Sequence, residues 1–253
     1  MALLGAREMK DYRESHLDPD HAASYDAAFL KNPRRALFWT LEQRVLGDIL
    51  NTRFSGRPIR LLDFACGSGR ILALLEDGVQ EAVGVDVSPS MIAIARRKSH
   101  KAQIIQGDLT RDDVLGDRRF DLITAFRFFP NAQPELRREV AKVLARHLER
   151  DGCLVFNNHM NTVSLLCRLE RLLRLGSSTG MAPAEIHDFL DPVGLVVDRI
   201  YGIGWLPSYE HRLPLPAPLL CPIEACATRI GLFPGLAQDM VYVCKIVARN
   251  CPW

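Results

Sequence analysis

Several things are missing from this sequence, and each absence closes a class of function. Its 7 cysteines include no C-x-x-C pair, so their spacing offers no zinc knuckle. No apolar run reaches about eighteen residues, the length that crosses a bilayer, so no transmembrane segment is expected. The opening MALLGAREMKDYRES has too short an apolar run for a secretory signal. With the odd, scattered cysteines, that points to a reducing, cytoplasmic setting. Charge of one sign is not in excess: 32 Lys and Arg stand against 30 Asp and Glu, and a net charge of +2 gives no footprint for nucleic acid. The run RDDVLGDRR is balanced in sign and reads as a solvated surface. There is no internal repeat and no low-complexity tract. What remains is 253 residues of ordinary globular composition, 48% hydrophobic and 25% charged. That is enough for one sizeable core, as one large domain or as a domain with an added lid.

The first fifty residues read as helical. Residues 20–30 carry Tyr25 and Phe29 four apart among alanines, and after Pro33 the residues Leu37, Phe38, Leu41, Val45, Leu46 and Ile49 recur at helical spacing. From Ile59 short apolar runs alternate with helical patterns, the signature of βαβ units. Strands are expected at 60–64, 82–86, 103–106, 120–125 and 153–157, with helices at 70–76, 89–99 and 134–148 between them. Ser88 is a plausible N-cap ahead of Pro89. Later come a helix over 163–175, a GSSTG break, a short helix at 183–190 and a strand at 194–203. An irregular proline-rich stretch at 207–218, a helix near 219–230 and a strand at 240–247 close the chain. The expected fold is α/β: a Rossmann-like, mostly parallel seven-stranded sheet with helices on both faces, N-terminal helices and a lid insertion. The expected division is residues 1–58 as a helical cap, 59–160 as the nucleotide-binding core, and 161–253 as the lid and the completion of the sheet.

The most informative stretch is LLDFACGSGR. A strand runs into Asp63, then a tight turn with Gly67 and Gly69, then a helix whose free N–H groups carry partial positive charge. Asp86 ends the second strand in AVGVDVSPSM, where a carboxylate can accept from both ribose hydroxyls of a nucleoside. QGDL follows the third strand, and its Asp108 could accept from an adenine amino group. A nicotinamide enzyme would want G-x-G-x-x-G, but Leu72 stands at the third glycine position. An adenosyl ligand without a pyrophosphate needs no such glycine, and its sulfonium and amino group tolerate nearby carboxylates.

LLDFACGSGR, VGVDVSPSMI and QGDL resemble the first three nucleotide-site motifs of class I S-adenosylmethionine-dependent methyltransferases, especially the small-molecule branch. FDLITAF and LERDGCLVF resemble that family's fourth and fifth strand segments, and MAPAEIHDFLDPVGLVVDRI its late segment. One departure is Ala65, where the commonest form of the motif has glycine. The resemblance implies S-adenosyl-L-methionine as cofactor. It places Asp63, Ala65, Gly67 and Gly69 at the methionine and ribose portion, and Asp86 at the ribose with Val87 and Met91 beside the adenine. It places Asp108 and Leu109 at the adenine edge, and Ala125 and Phe126 at the methionyl end. Tyr25 is either the N-terminal aromatic that closes over the cofactor or an ordinary helix-face aromatic packed on Phe29.

Methyl transfer from a sulfonium needs alignment above all, and an oxygen or nitrogen acceptor may need a base. The end of the fourth strand reads AFRFFPN, with no acid for a catechol-type magnesium site, so no metal is expected; nor does it carry the D/N-P-P-Y/F turn of base-methylating amino enzymes, which argues against that class. Arg127 there either clamps an acidic acceptor or pairs with Glu135 on the surface. The cluster NNHMN leaves the fifth strand on the same edge, and its His159 is either a general base or a cap. Tyr12, His16, Tyr209 and His211 are weaker candidates. The 163–175 helix has leucines on one side and Arg168, Arg171 and Arg174 on the other, so peripheral membrane contact stays open beside a lid role. The expectation is a metal-independent enzyme acting on a small, partly apolar acceptor, natural-product or quinone-like, at oxygen rather than nitrogen or carbon. The alternatives are methylation of a small molecule at nitrogen or carbon and, behind it, methylation of RNA or protein or a non-catalytic methyltransferase-like subunit. Oligomeric state is not legible.

Overall fold

The computed structural model describes Tyr12 and residues 31–159, 161–173, 180–208, 213–231 and 233–247. Within them seven strands form one sheet in the order β3-β2-β1-β4-β5-β7-β6. The strands are β1 (Arg60–Phe64), β2 (Glu81–Asp86), β3 (Gln103–Gln106), β4 (Phe120–Ala125), β5 (Leu148–Asn158), β6 (Leu195–Ile203) and β7 (Asp239–Ile246). Pairing is parallel from β3 through β5, and β7 runs antiparallel to both β5 and β6. The helices are α1 (Pro33–Arg53), α2 (Arg70–Leu75), α3 (Pro89–Lys98), α4 (Pro134–His147), α5 (Leu165–Leu172), α6 (Ala184–Leu190) and α7 (Ala217–Ile230).

Strand alternation divides the core into two layers. Leu62, Val83, Ile123 and Phe156 pack to one side with α4 and α6, while Leu61, Leu122 and Val155 pack to the other with α1 and α2. α1 begins where Asn32 accepts a hydrogen bond from the Arg35 N–H at 3.1 Å, with Pro33 in the first turn. α3 begins on Ser88, whose hydroxyl accepts from the Met91 N–H at 3.4 Å. The parallel strands bring the ends of β1, β2 and β4 to one edge. The order reverses between β1 and β4, and ligands of open α/β sheets gather at such a reversal.

The structure corrects some boundaries. LERDG reads as a turn, yet β5 starts at Leu148, which pairs with Phe120 across an irregularity in the ladder. Gly152 allows this, since a Cβ there would sit 2.7 Å from the Asp121 carbonyl oxygen. α5 starts later than expected because the Ser164 hydroxyl caps it, accepting from the Cys167 N–H at 3.2 Å. α7 starts earlier, since Pro218 suits a first turn. The expected helix over residues 20–30 lies outside the described residues. No helix among those described is long and apolar enough to cross a membrane.

Candidate active site

The site grows from one bent turn. After β1 the chain passes through Ala65 and Gly67, both left-handed, with φ of 52° and 53°. The Gly67 N–H donates to Asp86 Oδ2 at 2.7 Å, and the Ser88 N–H donates to Asp86 Oδ1 at 2.8 Å. One carboxylate thus ties the glycine turn to the start of α3. No atom lies within 4 Å of the place a Gly67 Cβ would take, so the turn faces open space. Gly69 does something else: with φ 74° it heads α2, and a Cβ there would meet Ala95 Cβ of α3 at 2.9 Å. Its absent side chain lets the two helices approach.

A cleft of about 770 Å³ opens along this edge. Asp86, Val87 and Met91 line it from the β2 side, Asp108 and Leu109 from the β3 side, and Ala65, Gly67 and Phe126 from the β1 and β4 sides. Asp108 Oδ1 accepts from the Thr110 N–H at 2.9 Å and from its hydroxyl at 2.6 Å, which fixes the carboxylate at the rim. A second space of about 390 Å³ adjoins it, sharing Ala65, Gly67 and Phe126 and adding Asp63 and Arg70. Arg127 lines both. Gly69 and Ala125 line neither; Ala125 is buried beneath.

Asp63 is 1% exposed. Its Oδ1 accepts from the Thr124 hydroxyl at 2.7 Å, while Oδ2 has no partner. Burial pushes its carboxyl up to about 7, against the Thr124 bond; Asp86 adds to the rise and Arg70 opposes it. A buried carboxylate missing one partner is costly by itself, and a cationic group entering the second space would supply that partner.

Arg127 is held by its backbone. Its φ is 60°, its N–H donates to Asn157 Oδ1 at 2.7 Å, and its carbonyl accepts from Asn131 Nδ2 at 2.6 Å and the Tyr12 hydroxyl at 3.2 Å. Glu135, the expected surface partner of Arg127, lies 3.9 Å from Arg138. His159 follows β5 directly and is partly buried, with Nδ1 shielded and without a partner. Burial, together with the charges of Arg127, Arg34, Arg35 and Arg70, pushes its imidazole well below the ordinary histidine range. The ring is therefore neutral at pH 7, the form that can take up a proton.

The comparisons with known proteins agree with this geometry. Residues 61–152 match the family model described as a methyltransferase domain. The chain's fold is similar to that of magnesium protoporphyrin IX methyltransferase from Synechocystis PCC 6803, solved with bound S-adenosylmethionine. The TM-score there is 0.61 at 12% identity, covering 96% of this chain and 100% of that one. Among curated proteins it is 34% identical over 140 residues to a dTDP-4-amino-2,3,4,6-tetradeoxy-D-glucose N,N-dimethyltransferase of Saccharopolyspora spinosa, covering 54% of this chain and 53% of that one. It is 30% identical over 138 residues to a dTDP-3-amino-3,4,6-trideoxy-alpha-D-glucopyranose N,N-dimethyltransferase of Streptomyces venezuelae, covering 54% and 56%. The chain spans about half the length of these relatives.

Outside the matched residues 61–152 stand groups that sequence reasoning missed. Glu42 on α1 and Asp239 at the start of β7 are fully buried. Asn157 Nδ2 donates to Glu42 Oε1 at 3.0 Å and lies 3.5 Å from Asp239 Oδ2. A signal existed for Glu42: it is a charge set among the buried residues Phe38, Leu41 and Val45 of the same helix. Tyr12, a weak candidate by sequence, lines the larger cleft and packs edge-on against Phe128 at 5.5 Å. Tyr25, His16, Tyr209 and His211 lie outside the described residues.

Proposed function

We propose that this chain moves a methyl group from S-adenosyl-L-methionine to an amino nitrogen of a small, sugar-like acceptor. The observation that carries the cofactor half is the buried, unpartnered Asp63 oxygen facing a space that opens onto the Asp86-braced turn. Asp63 would hold the cofactor's ammonium and Asp86 its ribose hydroxyls, with Val87 and Met91 against the adenine and Asp108 and Leu109 at its edge. When bound, the cofactor supplies an electrophilic methyl group on a sulfonium.

The acceptor half rests on the relatives' printed reactions, which are at amino nitrogens of dTDP-linked sugars. For that reason nitrogen replaces oxygen as the favoured atom. The environment of His159 supports it. An amine attacks only through its free lone pair, and the burial and arginine charges that hold the imidazole neutral would also disfavour an ammonium beside it. In this reading His159 would take the proton the amine must lose, and Arg127 would meet an acidic group on the acceptor. Metal-independence and a cytoplasmic setting belong to the same reading.

The test is turnover with S-adenosylmethionine and a panel pairing amino sugars with their hydroxyl counterparts, free and nucleotide-linked, read by mass spectrometry. Methylated amines that are absent or strongly reduced with His159→Ala are the expected result. Methylation of the hydroxyl members alone would return the reaction to oxygen, and no methylated product from any member would remove the sugar class.

A further inference from the structure

Two buried carboxyl groups lie outside the roles assigned so far. Glu42 comes from α1 and Asp239 from β7, both fully buried, and Asn157 of β5 is buried beside them. Each acid keeps one oxygen without a partner, Glu42 Oε2 and Asp239 Oδ1. The Asn157 amide is shared between them. Its Nδ2 faces Glu42 Oε1 at 3.0 Å and Asp239 Oδ2 at 3.5 Å, while its Oδ1 accepts from the Arg127 N–H at 2.7 Å. Arg127 is one of the residues that line both clefts, and it sits in a left-handed conformation that a non-glycine residue adopts only when its surroundings enforce it. Asn131 and Tyr12 restrain its carbonyl, and Asn157 restrains its N–H.

We propose that Glu42 and Asp239 are positioning residues that act through Asn157 to hold the Arg127 backbone, and so set the wall between the two clefts. The proposal rests on the cofactor reading above. Two like charges cannot share one amide in a dry site at low cost, and a single proton between the acids removes the conflict. The cationic groups facing Asp239 are Arg127 after β4 and Arg34 on α1, both of which favour its ionisation. Burial and Glu42 outweigh them and push the Asp239 carboxyl up to about 7. Below that point Asp239 holds its proton and both acids stay on the Asn157 amide. Above it they repel, and the grip on Arg127 loosens.

The experiment measures S-adenosylhomocysteine affinity from pH 6 to pH 8 for wild type, Asp239→Asn and Glu42→Gln. Both substitutions keep the size of the side chain and remove one of the two charges. Taking the ratio of variant to wild-type affinity cancels every titration common to both proteins, Asp63 included. The expected ratio is near one at pH 6 and rises above pH 7, by up to about tenfold per pH unit, the slope for one linked proton. Melting curves identify a variant that fails to fold, in which case the other variant carries the same expectation. A ratio that stays constant across the range, or falls, overturns the proposal and leaves the cofactor reading standing. Wild type that binds no S-adenosylhomocysteine at any pH overturns both.

Discussion

At the scale of the residue, the nucleotide-site edge of the sheet depends on where side chains are absent as much as on where they are present. Leu72 stands at the position where a dinucleotide site would carry a third glycine. The structure shows its counterpart: a Cβ on Gly84 of β2 would lie 2.4 Å from Leu72 Cδ1. The bulk sits on the helix and the glycine on the strand, so the two elements still pack closely. Gly69 has the stricter requirement, since its φ is 74° and Ala95 leaves no room for a methyl group. Gly69→Ala should therefore destabilise the fold by about 1–3 kcal/mol, from left-handed strain together with overpacking. Denaturant unfolding would show this as a lower midpoint with an unchanged slope, and an unchanged midpoint would mean that the α2–α3 contact is slack.

At the scale of the element, Glu76 joins the end of α2 to the strand that follows α3. Its carboxylate accepts from the Ser99 hydroxyl and from the N–H groups of His100, Lys101 and Ala102. Burial would raise this carboxyl, but those four donors outweigh it and pull the group down to about 2. The folded chain thus releases a proton the unfolded chain still holds. This stabilisation is full above the ordinary glutamate range near 4.5 and is lost as pH falls toward 2. Glu76→Gln should cost about 1–3 kcal/mol at pH 7. It should also flatten the acid limb of a melting-temperature profile; an unaltered limb would assign the acid sensitivity elsewhere. The strands from Ile59 to Ala125 were legible because each is a short apolar run bounded by turns. The start of β5 was not, because LERDG has the composition of a turn and pairs only through an irregular ladder beside Gly152.

At the scale of the whole molecule, two acids with raised carboxyls act in the same direction. Asp63 and Asp239 are both pushed from the ordinary aspartate range near 3.8 up to about 7, by burial first. Across that window the folded chain holds protons the unfolded chain has lost, so stability falls as pH rises from about 4 to 7. Melting temperature should be higher at pH 6 than at pH 8, and Asp239→Asn should narrow the difference by raising the value at pH 8. Equal melting temperatures in wild type would contradict both shifts. The same acids mark the limit of the sequence. Asp63, Asp86 and Asp108 lie inside motifs on consecutive strand ends, and their convergence could be read in advance. Glu42, Asn157 and Asp239 come from three distant segments, and only folding brings them together behind Arg127. The central claim is that the Asp86-braced turn holds an adenosyl cofactor, and calorimetric titration with S-adenosylhomocysteine at pH 7 tests it most directly. The account predicts saturable one-to-one binding by wild type and at least about a hundredfold weaker binding by a folded Asp86→Ala, the scale of losing a charge-assisted hydrogen bond. Undiminished binding by that variant, or none by wild type, would contradict it.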